Sequence, residues 1–399
     1  MLPEGVRRDV LVEIEGSRVA KVLDADESSG VVDVPTLDVG GRLVTPGLVD
    51  LHVHGGFGHA FDEPDEPGAE PAWPAVLRGL ARRGVTSMQA SLVSARIPQL
   101  CDRLAQMEEL TGEIDGGAHV IGVHLEGPFL APEQCGAHEP AVLRDPTPAD
   151  VTALLDHRDL VRMITLAPEL PGALDAVRRF AAAGIVVAAG HSQASAADLA
   201  AAQAAGLSHL THLWSGQSTT HRRGPWRVPG LLEAGLASTG LTAEVIADGR
   251  HLPPQLLEIA RRCLGENLIV VSDGTPGTGQ PPGFGYQLGA VACEVGDGVG
   301  RVVGADAFGG STTTVPQMLN HLHNDLGWPL PEVVAMATAR PAAVAGISHH
   351  KGAIATGMDA DLAVFDPHFQ PWGTVLRGRW LGADDRRDDR TDHSSRRTP

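Results

Sequence analysis

The chain has 399 residues, of which 43% are hydrophobic and 20% charged, and it carries a net charge of −18. That length and composition fit a barrel of roughly 250 residues plus an appended lobe, and they exclude a disordered chain. The acidic balance excludes a nucleic-acid partner, because a duplex-binding surface needs clustered Lys and Arg to displace counterions.

Residues 9–14 and 18–23 are short β-type runs on either side of Glu15-Gly16-Ser17 and predict a hairpin. Further strands are expected near 31–34 and 41–44, and at the far end over 360–365 and 374–376. The two ends resemble each other and differ from the middle. We therefore expect a small β-sandwich lobe built from 1–46 and 346–382, with 47–345 inserted as the main domain.

In the middle, strands predicted at 48–54, 86–90, 120–125, 163–166, 185–189, 209–212, 242–246 and 268–271 alternate with helical stretches. The helices include 72–83, 99–110, 173–183, 196–205 and 254–263. Several stop at a glycine: Gly84, Gly184, Gly206 and Gly265. Glycine tolerates the left-handed conformation that ends a helix. Eight strands separated by helices predict an α/β fold, a (β/α)₈ TIM barrel, with a doubly wound open sheet as the structural alternative. The tail 383–399 is Asp, Arg, Ser and Thr without apolar periodicity and is expected to be disordered.

Cys101, Cys135, Cys263 and Cys293 form no C-x-x-C pair, so neither a thiolate zinc site nor a disulfide framework is indicated. Residues 1–16 lack the basic start and apolar run of a signal peptide, and no apolar stretch approaches ~18 residues. The expectation is a cytoplasmic protein with no membrane partner.

In such a barrel the chemistry lies at the C-terminal ends of the strands. The first strand ends in His52-Val53-His54, and alternation along a strand points both imidazoles the same way. The third ends in His124-Leu125-Glu126-Gly127-Pro128, and the fifth in Gly190-His191-Ser192. The sixth carries His209-Leu210-Thr211-His212, and the eighth ends in Ser272-Asp273-Gly274. Singly, each is as easily a cap, an ion-pair partner or a satisfied core residue. Jointly, they put metal-type ligands at five strand ends that the fold would converge. His and carboxylate ligands suit Zn²⁺ first, and Fe²⁺ or Mn²⁺ as well. Such a metal lowers the pKa of a bound water toward ~7 and polarises a carbonyl. Asp273 then accepts the proton of the attacking water and delivers it to the leaving nitrogen.

This constellation resembles the amidohydrolase superfamily, and the local motifs resemble its N-acetylglucosamine-6-phosphate deacetylases. They are Pro46-Gly47-Leu48-Val49-Asp50-Leu51-His52-Val53-His54-Gly55-Gly56, His124-Leu125-Glu126-Gly127-Pro128-Phe129-Leu130 followed by Gly136-Ala137-His138, Thr165-Leu166-Ala167-Pro168-Glu169, Thr211-His212-Leu213 and Ala247-Asp248-Gly249-Arg250-His251. The likeness runs from about residue 40 to 366. Lysine adds a discrimination. Lys21 and Lys351 are the only two, so no carboxylated lysine can bridge two metals on a barrel strand, as it does in the dihydroorotase-like members.

The resemblance implies Glu126, His191 and His212 as ligands of a main metal, and His52 with His54 as ligands of a second, giving one or two ions per subunit. It implies substrate contacts at His138 and His251. It implies that Arg227 reaches the sugar phosphate of the neighbouring subunit in a homodimer. The implied activity is hydrolysis of the acetamide of N-acetylglucosamine 6-phosphate to the amine and acetate. The chain departs from the family at Trp214-Ser215-Gly216-Gln217, where members usually show an aromatic residue and then Asn-Ala-Met. Ser215 and the backbone of Gly216 can still donate to an anion. These changes spare the ligands and touch the region that selects the substrate. A paralogous deacylase of another N-acyl amino sugar or amino acid therefore remains a reading, with a deaminase and a non-catalytic binding protein behind it.

Overall fold

The structure, a computed structural model, describes residues 1–3, 5–24, 35–63, 72–108 and 114–382. The strand expected near 31–34 and the tail 383–399 lie outside the described residues. Eight strands form one sheet in sequence order, each parallel to the next: Leu48–Val53, Val85–Leu92, His119–Glu126, Val161–Leu166, Val186–Ala189, His209–Leu210, Thr242–Val245 and Leu268–Val270.

The first and eighth strands close the sheet. Val53 bridges to Gly274, and the backbone N–H groups of His54 and Gly55 both donate to Gly274 O at 2.7 and 3.0 Å. At the opposite end the 336–337 turn spans the seam, with Ala337 O accepting from Val49 N–H and Met336 O from Val270 N–H. Closure makes this a (β/α)₈ barrel and rules out the open doubly wound sheet.

Alternation decides which side chains fill the barrel. In the second strand Met88, Ala90 and Leu92 join the apolar core, while Ser87, Gln89 and Ser91 are buried polar groups on the other face. The predicted helices appear as Trp73–Ala81, Ile97–Met107, Ala173–Ala182, Ala196–Ala205 and Pro254–Leu264. Each buries one stripe against the sheet, as Ala176, Val177 and Phe180 do in the third of these. Ser195 caps the fourth by accepting from Asp198 N–H, and Gly206 ends it at φ +116°.

The termini meet as expected. Leu43–Pro46, Leu362–Phe365, Pro371–Leu376 and Arg379–Gly382 form an antiparallel sheet in which the first strand pairs with the second. The hairpin of Val10–Glu15 and Arg18–Asp24 packs Val10, Val12, Ile14 and Val22 on the cluster that holds Leu362 and Val375 of this sheet, and its Val19 exchanges backbone hydrogen bonds with Gly357 and Met358.

One element escaped the sequence reading. Gly285–Leu288, Val291–Gly296, Val299–Val302 and Phe308–Ser311 form a four-stranded antiparallel sheet after strand eight. Its signal was present: Asp297-Gly298 sits between two β-type runs, and both residues have positive φ, as a tight hairpin turn requires. Ser311 joins this sheet to strand eight's end by donating its backbone N–H to Asp273 O at 2.9 Å.

Candidate active site

The C-terminal mouth of the barrel holds a cavity of about 290 Å³ lined by His54, Glu126, His138, His191, His212, Ser215, Gly216, His251 and Asp273. That is close to the small end of ligand pockets, about 300–1,000 Å³, and suits a molecule of monosaccharide size. Trp214, Leu288 and Phe308 supply apolar wall, the last two from the inserted sheet. His52 lies just beneath, with no solvent exposure.

Glu126 is the centre. Its Oε1 stands 3.0 Å from His191 Nε2 and 2.8 Å from His212 Nε2, while its Oε2 stands 3.2 Å from His54 Nε2 and 3.6 Å from His52 Nε2. The ring nitrogens also converge in pairs, His52 with His54 at 3.1 Å and His191 with His212 at 3.3 Å. Two lone-pair nitrogens and a carboxylate oxygen gathered in one buried place are the donor set of a divalent cation. The sets His52–His54–Glu126 and Glu126–His191–His212 could each hold one, since the ligand atoms of each lie within 4.8 Å of one another.

Asp273 completes the group, its Oδ1 lying 3.4 Å from His54 Nε2 and 3.7 Å from His52 Nε2. His191, Trp214 and Asp273 all have left-handed backbone, with φ of 48°, 72° and 47°. Such conformations cost ~1–3 kcal/mol each and persist where the surroundings hold a side chain in place.

Burial alone would raise the Glu126 carboxyl, but the His138 and His52 rings outweigh it and hold it well below the usual range. Burial likewise opposes ionisation of Asp273, and the hydrogen bond from His54 with the charges of His52 and His54 keeps it a carboxylate. Burial pushes His138 down to about 4 against the pull of Glu126, so the ring is neutral. Its Nδ1 accepts Ser94 N–H at 3.2 Å, which places the proton on Nε2, 3.2 Å from Glu126 Oε2.

Ten of the eleven expected site residues are thus brought together. The eleventh, Arg227, lies on an exposed hairpin of His221–Arg223 and Trp226–Val228, outside the cavity lining. Its Nη1 donates to Pro225 O at 3.3 Å. Sequence reasoning missed two carboxylates. Asp248 Oδ2 lies 2.7 Å from His251 Nδ1 and accepts from Ser311 Oγ, so it aims His251. Glu244 is fully buried beneath His52. Both had a signal, Asp248 in the quoted motif and Glu244 in a strand otherwise apolar or small, since a charged side chain is rarely fully buried unpaired.

The sequence pattern of the amidohydrolase family matches residues 43–381. The chain is 30% identical over 374 residues to the N-acetylglucosamine-6-phosphate deacetylase of Vibrio furnissii, spanning 94% of this chain and 91% of that one. It is 34% identical over 350 residues to the human protein of the same name, spanning 86% and 84%. A mutant of the Mycobacterium smegmatis N-acetyl-D-glucosamine-6-phosphate deacetylase, solved with N-acetyl-D-glucosamine-6-phosphate, superposes with a TM-score of 0.81 at 33% identity, covering 92% and 93%. The chain belongs to the amidohydrolase family, among its N-acetylglucosamine-6-phosphate deacetylases.

Proposed function

We propose that this chain hydrolyses the acetamide of N-acetylglucosamine 6-phosphate to glucosamine 6-phosphate and acetate. The observation that carries the proposal is Asp273, an ionised carboxylate 3.4 Å from His54 Nε2 at the edge of a donor set split evenly across Glu126. A divalent metal, zinc first and iron or manganese as alternatives, would supply Lewis-acid polarisation of the amide carbonyl and of the attacking water. Glu126, His191 and His212 would hold one ion, and His52 and His54 with Glu126 a second.

Asp273 takes a proton from the water as it adds to the carbonyl carbon. It then gives that proton to the amide nitrogen, which leaves as the free amine. His138, neutral with its protonated Nε2 3.2 Å from Glu126 Oε2, lines the cavity where it would contact the substrate. His251, held by Asp248, and the Ser215–Gly216 turn line the cavity where the sugar would sit. Arg227, on its exposed hairpin, would meet the phosphate bound in the neighbouring subunit of a homodimer. Residues 47–345 form the catalytic barrel in this reading, and 1–46 with 346–382 the lobe. Four free cysteines fit a reducing, cytoplasmic setting. Among the described residues no helix is long and apolar enough to cross a membrane.

A second reading, an unphosphorylated N-acyl amine as substrate, draws on the cavity itself, whose lining holds neither arginine nor lysine. Acetate release from the zinc-loaded protein decides between them. Rapid release from N-acetylglucosamine 6-phosphate and slow release from N-acetylglucosamine supports the proposal. The reverse preference moves the substrate to the unphosphorylated class, and release from neither refutes both sugars.

A further inference from the structure

We propose that Glu244, with His209 behind it, is a positioning residue that sets His52 up as a metal ligand. The inference rests on the metal-centred reading above. Glu244 Oε2 lies 3.0 Å from His52 Nδ1, and all atoms of both residues are shielded from solvent. A carboxylate can only accept, so the His52 proton stands on Nδ1. When a cation takes the place of any proton on Nε2, the lone pair that receives it is on the side facing His54 Nε2 and Glu126 Oε2. The other tautomer would put a hydrogen where the cation belongs.

Glu244 is itself fixed from three sides. His209 Nε2 reaches its Oε1 at 3.1 Å, and the backbone N–H of His212 donates to its Oε2 at 3.2 Å. His209 Nδ1 in turn lies 2.6 Å from Thr242 Oγ1. One buried carboxylate therefore ties the ring of a ligand in one set to the backbone of a ligand in the other. The remaining rings give the contrast. His191 Nδ1 is held 2.7 Å from Gln134 O, whereas the Nδ1 atoms of His54 and His212 have no hydrogen-bond partner among the described residues. Each candidate metal set thus has one ring with a fixed tautomer: Gln134 fixes His191, and Glu244 fixes His52.

Glu244→Gln keeps the shape and halves the acceptors. An amide cannot accept from both His52 and His209, and with its NH₂ toward His52 it forces the proton onto Nε2. Loss of such a hydrogen-bond partner behind a metal-binding histidine costs about 10–100-fold in metal affinity. The experiment titrates zinc into metal-free full-length protein against a chromophoric chelator and counts equivalents and their affinities. The expected result is two zinc ions for the wild type, and for E244Q one at wild-type affinity with the second weakened about 10–100-fold.

His209→Leu, which leaves Glu244 but removes its support, is expected to weaken the same ion, and it carries the test where E244Q does not fold. Equal weakening of both ions would make Glu244 structural only, and a folded variant binding both ions as wild type would overturn the inference outright. A wild type that takes up no second zinc defeats the two-metal reading, and the inference with it, before any variant is compared.

Discussion

Replacing Gly216 with alanine tests how closely the turn above the cavity is built around His191. Gly216 has φ +59°, and a Cβ there would stand 2.6 Å from His191 Nδ1, with Cε1 and Cγ at 3.0 and 3.1 Å. The backbone conformation alone costs a residue with a side chain about 1–2 kcal/mol. The contact adds a displacement: ordinary separation is about 3.5–4.0 Å, so ring and turn must part by roughly 1 Å.

The ring has no easy retreat. The same Nδ1 is 2.7 Å from Gln134 O, and Nε2 is 3.0 Å from Glu126 Oε1. The turn is held too, because Gln217 donates to Thr211 O and accepts Trp214 N–H at 2.9 and 3.2 Å. A misplacement of about 1 Å near reacting groups can cost ~100-fold in rate. We expect Gly216→Ala to lose about that factor in kcat/KM and at least ~10-fold in zinc affinity at the Glu126–His191–His212 set. Gly240→Ala is the control, since φ is +79° and nothing lies within 4 Å of its added Cβ. It should show the strain in stability and leave activity intact. Wild-type activity and zinc binding in G216A, or an equal loss in G240A, would refute the reasoning.

Asp273→Asn should retain zinc yet lose about 10²–10⁴-fold in kcat, the contribution typical of a positioned acid–base group; stopped-flow or endpoint acetate assays suffice. Arg227→Ala should raise KM for the phosphorylated sugar about 10–100-fold, as expected for one charge-assisted hydrogen bond, with kcat little changed, and an unchanged KM removes Arg227 from the site. His119 supplies a pH prediction. Burial, then the charges of Lys351 and Arg377, lower its pKa in the folded chain, so the unfolded chain binds more protons as pH falls below about 6.5. The stability it contributes is complete above that pH and is lost as pH drops toward the folded value. His119→Asn should narrow the fall in Tm between pH 7.5 and 5, and a fall as wide as the wild type's would contradict the assignment.

The barrel was legible because its code is local. Apolar strands, amphipathic helices and the glycine stop at Gly206 each announce themselves within ten or so residues. The metal-type cluster was legible because a barrel brings its strand ends together, so His52, Glu126, His191, His212 and Asp273 needed only a shared fold to be neighbours. What resisted was whatever depends on a particular facing pair. Glu244 stands out in Thr242-Ala243-Glu244-Val245 as a carboxylate in a small and apolar run, and alternation alone would turn it inward with Thr242. Nothing in that run says that it meets His52, 192 residues away, because the partner appears only when strand seven curls round to the far side of strand one. Arg227 is the opposite case. Its segment, Arg222-Arg223-Gly224-Pro225-Trp226-Arg227, forms an exposed hairpin, and Trp226 is 74% accessible. An exposed tryptophan beside three arginines has the composition enriched at protein–protein interfaces. The chain gathers the metal-type cluster at its barrel mouth and leaves Arg227 outside the cavity lining, which is why the test of Arg227 is a KM and the test of Glu244 is a metal count.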